Sequence, residues 1–67
     1  MQIKQLIMLL EGNFNQDATV EVFWQDEGQW YWDDAHVMKR SDGGAVLCVE
    51  NELKYAQHEI DAVVVES

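Results

Sequence analysis

The chain has one cysteine, four basic residues and no long apolar run. With Cys48 alone, no intramolecular disulfide can form, so stability must come from burying large side chains. Three Trp, two Tyr and two Phe supply them. The apolar run "LIMLL" (6–10) follows Lys4 and precedes Glu11. It is too short to span a bilayer or to serve as a signal-peptide core, so no membrane association is expected. A lone thiol without such a signal points to a reducing cytoplasm. Thirteen acids against the four bases leave a net charge of −9. Glu11, Asp17, Glu21, Asp26, Glu27, Asp33 and Asp34 follow one another with no base before Lys39. Such a field repels nucleic acid and membranes and attracts basic protein surfaces. Acidity also keeps small proteins soluble, and composition alone does not choose between the two uses.

The 67 residues allow one domain, 1–67. Ile3, Leu6, Ile7 and Leu10 recur with a helical period, predicting an amphipathic helix over 2–11. Gly12 would end it in the left-handed conformation, with Phe14 folding back as an apolar contact. "TVEVFWQ" (19–25) alternates as a strand does, and "QWYW" follows the loop "DEG". A three-residue loop with left-handed Gly28 pairs Glu21 with Asp33, Val22 with Trp32, Phe23 with Tyr31, and Trp24 with Trp30. Trp24, Trp30 and Trp32 then face a core against the helix stripe. Phe23, Tyr31, Glu21 and Asp33 take the other face. A two-residue loop would set Val22 against Asp33, which argues for the longer one.

Asp42-Gly43 reads as a type I′ turn between strands near 35–40 and 45–50. It pairs Val37 with Cys48 and His36 with Val49. Both faces of that hairpin carry apolar groups, so the C-terminal segment or a second copy should cover one. "NELKYAQHEI" (51–60) reads either as a helix with Leu53, Ala56 and Ile60 on one side or as a loop, and "DAVVVES" as a last strand. The fold class is therefore α+β, an N-terminal helix on a small antiparallel sheet of three to four strands built from consecutive hairpins.

Catalytic and metal chemistry find little footing. No nucleophile elbow, phosphate loop or zinc-hydrolase motif is present, and a chain this short has little volume for a pocket. Asp33, Asp34 and His36 could be imagined as an acid–base group, but close carboxylates are ordinary among thirteen. Asn13, Asn15 and Asp17 mimic the start of a calcium loop, yet Ala18 stands where glycine must turn and Trp24 where a bidentate Glu is needed. In the type I′ register His36 and Cys48 lie on opposite faces, which disfavours a metal pair and leaves Cys48 a small core residue. The reading is a non-enzyme without cofactor or metal. Direct nucleic-acid binding is not expected either, since the aromatic stretch has no cation to neutralise phosphates.

"IKQLIMLLEGNFNQDATVEVF", followed by "DDAHVMKRSDGGAVLCVE", resembles small phage and prophage accessory proteins. In those, a short Leu/Ile-rich helix, a polar turn and a "DA-x-V-x-V" strand precede a hairpin. The proline often found before that strand is missing here. The resemblance carries over a fold and no catalytic residue. By size and acidity alone, the chain is also similar to phage inhibitors of bacterial defence, the anti-CRISPR and antirestriction proteins, several of which mimic DNA charge. These features imply an acidic inhibitor that occupies a basic, nucleic-acid-handling surface of a host protein. Glu21, Asp26, Glu27, Asp33 and Asp34 would supply charge, with Phe23 and Tyr31 as apolar anchors. The alternative is a structural or assembly component, as a homodimer that buries the second hairpin's apolar face.

Overall fold

A computed structural model describes residues 1–66. Helix α1 (Ile3–Asn13) leads to strands β1 (Glu21–Asp26), β2 (Gln29–Asp34), β3 (His36–Lys39) and β4 (Ala45–Cys48). A 3₁₀ turn (Glu50–Glu52), helix α2 (Leu53–Glu59) and strand β5 (Val63–Glu66) complete the chain. The class is α+β. The five strands form two antiparallel sheets, β1-β2 and β4-β3-β5, where one smaller sheet was expected.

Helix α1 starts where the Gln5 side-chain oxygen accepts the Gln2 N–H at 2.7 Å. It runs through Gly12 to Asn13, because the carbonyls exposed at its end find side-chain donors. Asn13 Nδ2 donates to the Leu9 carbonyl and Gln16 Nε2 to the Leu10 carbonyl, each at 2.8 Å. Gly12 therefore has no left-handed role, and Phe14 is extended and exposed.

Both hairpins depart from the expected register by one residue, in opposite senses. Glu27 and Gly28 both have positive φ, 49° and 79°, as a two-residue type I′ turn requires. The turn sets Glu21 opposite Asp34, Val22 opposite Asp33, Phe23 opposite Trp32 and Trp24 opposite Tyr31. An Ala35 N–H to Val20 carbonyl bond at 2.9 Å continues this ladder. In the second hairpin only Gly43 is left-handed, at φ 92°, which rules out a type I′ turn. Ser41-Asp42-Gly43 forms a three-residue loop, closed by Gly43 N–H to Arg40 carbonyl at 2.9 Å and Arg40 N–H to Gly44 carbonyl at 2.8 Å. Asp42 Oδ1 also accepts the Gly44 N–H at 2.8 Å. His36 therefore opposes Cys48, and Val37 opposes Leu47.

Strand β5 extends the second sheet along the free edge of β3, with Met38 opposite Val64 and a register shift between Val37 and Met38. It lengthens the sheet rather than covering its second face. Of the "DAVVVES" strand, Ser67 lies outside the described residues. The 51–60 segment takes its helical alternative, with Leu53, Ala56 and Ile60 half-buried together.

The core lies in the C-terminal half. Met38, Val49 and Ala62 are the buried apolar residues, from the middle of β3, the residue after β4 and the residue before β5. Helix α1 buries no residue; Leu6 and Leu10 are half-covered. The expected packing of its stripe on Trp24, Trp30 and Trp32 fails because the register sends Trp30 and Trp32 to the face opposite Trp24. The radius of gyration, 12.9 Å, exceeds the roughly 11 Å of a compact chain of this length.

Candidate binding surface

Directly opposed residues of an antiparallel pair share a face, so the register fixes what each side of the first hairpin presents. One side carries Val22, Trp24 and Asp26 with Gln29, Tyr31 and Asp33. The other carries Glu21, Phe23 and Gln25 with Trp30, Trp32 and Asp34.

On the first side the rings and the carboxylate satisfy one another. Trp24 stacks on Tyr31 with centroids 4.9 Å apart, and its Nε1–H donates to Asp33 Oδ2 at 2.8 Å. That bond ties Asp33, opposite Val22, to the indole of Trp24 across the strand pair. Val22 and Trp24 are half-buried.

The second side is open. Phe23 and Trp30 stack at 4.8 Å and nearly parallel, 10° apart, with Trp32 directly across from Phe23. Their exposures are 65%, 55% and 64%, so the three rings form an aromatic plate that shares one face in solvent. Glu21 and Asp34, directly opposed, close the end of the plate away from the turn, while Asp26 and Glu27 lie at the turn itself. No Lys or Arg lies between residues 21 and 34.

Of the residues expected at the surface, Glu21, Phe23 and Asp34 share this face. Glu27 sits at the turn, and Asp26 next to it lies on the reverse side. Tyr31 and Asp33 belong to the reverse side. Trp30 and Trp32, assigned to the core from sequence, are the plate's other two rings. The signal that would have found them is the Glu27-Gly28 dipeptide, a two-residue turn whose first position is seldom Glu.

Next to the plate, Asp33, Asp34, His36, Val49, Glu50 and Asn51 line a cleft of about 360 Å³. It adds Glu50 to the negative surface, and Asp33, Asp34 and His36 all border it. His36 Nδ1 is buried without a hydrogen-bond partner. Across the strand pair, Cys48 Sγ lies 3.4 Å from Met38 Sδ. His36 and Cys48 thus share a face, contrary to the sequence expectation, because the loop has three residues and not two. Burial, with Glu52 second, pushes the Cys48 thiol above its ordinary pKa of 9.0. Among the described residues, no three His, Cys, Asp or Glu side chains gather as a metal site would require.

Comparison with known protein families, with characterised proteins and with solved structures finds no match to this chain.

Proposed function

We propose that the protein acts by binding, with the aromatic plate of the first hairpin seated on a basic surface of another protein. The observation that carries this reading is the juxtaposition of the stacked Phe23–Trp30 pair and Trp32, all three exposed on one face, with a hairpin whose five charged residues are all acidic. Solvent-exposed rings of this area are costly to leave bare, and they are the residues that dominate interface energetics. Carboxylates around them favour an Arg- or Lys-rich partner, through ion pairs at the rim and cation–π contact with the indole faces. Basic grooves of that kind are what nucleic-acid-handling proteins present. An inhibitor of such a host protein, of phage type and working in the host cytoplasm, fits the surface best. The role is non-catalytic.

Glu21 and Asp34 should be reversed to Lys together, and the partner captured from bacterial lysate at low and high salt. A nucleic-acid-binding protein retained at low salt, displaced by duplex DNA and lost with the reversed variant is the expected result. Capture that ignores both the reversal and the salt would sink the reading.

A second reading, a structural or assembly component, is favoured by a separate observation: the apolar residues of α1 remain largely uncovered.

A further inference from the structure

The accessible surface of the chain is 5703 Å², about 1,300 Å² more than the ~4,400 Å² of a compact 7.8 kDa monomer. A standard protein interface covers about 800 Å² of each partner, and obligate homodimers cover more. The surplus is thus of the size that a stable dimer removes from water.

Part of the exposed apolar surface lies on α1. Ile3 and Ile7 are 51% and 48% exposed and Met8 is 73% exposed. Lys4 and Glu11 flank them, seven residues or two turns apart and therefore on one side of the helix. Successive residues turn by about 100°, which places Lys4 and Glu11 between Ile7 and Met8 around the axis. Ile3, Lys4 and Ile7 also border an open depression of about 690 Å³ shared with Gly44 and Ala45, space that side chains from outside could enter.

We infer that α1 is a homodimer seam, on which the α1 helix of a second copy lies antiparallel about a two-fold axis beside Ile7 and Met8. A two-fold axis at that point sets Lys4 of each copy against Glu11 of the other, making two equivalent ion pairs across an apolar centre. The charge pattern also selects this surface for a twin. Two chains of −9 repel, and the hairpin of residues 21–34 has no base to offset that repulsion. Helix α1 contains one base and one acid, so copies meet there with their local charge balanced. A parallel arrangement would set Lys4 on Lys4 and Glu11 on Glu11, which fixes the direction. The inference is independent of the hairpin's binding role, since the two surfaces share no residue.

Sedimentation equilibrium of the full chain tests it. The expected mass is twice the 7.8 kDa of one chain. Lys4→Glu and Glu11→Lys should each weaken the dimer about tenfold, because each turns both pairs repulsive. The double swap should restore the starting affinity, and far-UV circular dichroism should show each variant folded. The rescue separates pairing from any loss of helix. A monomer mass at the highest concentration overturns the inference. So does a dimer whose affinity ignores the single reversals, or one that the double swap fails to restore.

Discussion

Asp33 and Asp34 are neighbours in sequence and opposites in role. Asp33 accepts the Trp24 indole N–H, so it is a structural acceptor. Asp33→Ala should cost about 0.5–1.5 kcal/mol in urea unfolding, while Asp33→Asn, which keeps an acceptor oxygen, should cost less. Asp34 instead faces Glu21 directly. Asp34→Asn should stabilise the chain by some tenths of a kcal/mol, since opposed like charges destabilise a strand pair. The three-residue loop expected from sequence pairs Glu21 with Asp33 instead, and the one-residue slip exchanges the two carboxylates between faces. Cys48 supplies a pH test. Its pKa is raised by burial, so the folded state holds the thiol proton more tightly than the unfolded chain does. That contribution is fully present below the ordinary value of 9.0 and is lost as pH rises through the folded value. From about pH 8 to about pH 10 the melting temperature should therefore fall more steeply for the native chain than for Cys48→Ala.

At the level of elements, the two turns decide what each hairpin presents, and turn chemistry was the part hardest to read. Periodicity placed α1 and β1, and turn signals beside β-rich runs placed β2, both strands of the second hairpin and β5, all close to their observed positions. Loop length was misjudged in both hairpins. Asp42-Gly43 is a strong two-residue signal, but Asp42 uses its side chain to accept the Gly44 N–H and leaves Gly43 alone left-handed. Glu27-Gly28 is a weak signal, yet it forms the tighter turn with Glu27 at φ 49°. A left-handed non-glycine residue is strained by roughly 1 kcal/mol, less for Asn. Glu27→Asn should therefore stabilise the hairpin by a fraction of that, read from thermal unfolding followed by tryptophan fluorescence. Trp32→Ala distinguishes the two registers outright. A core tryptophan would cost about 3–5 kcal/mol, whereas the exposed ring described here should cost under about 1 kcal/mol.

On the scale of the whole molecule, the chain is built as two sheets whose strands do not pair with one another. The buried residues belong to the second half, and an isolated two-stranded hairpin is marginal in water. Stability should therefore be uneven along the chain. All three tryptophans lie in the first hairpin, so their fluorescence reports that element alone, while far-UV circular dichroism reports every helix and strand. The fluorescence transition should come first on heating, at a lower midpoint than the circular dichroism transition. Met38→Ala sharpens the contrast. Met38 is completely buried in the central strand of the β4-β3-β5 sheet, and removing its side chain should cost about 2–5 kcal/mol. The circular dichroism midpoint should drop sharply and the fluorescence midpoint much less. Coincident transitions in both proteins would show one cooperative unit, with the first hairpin held by the core rather than standing beside it.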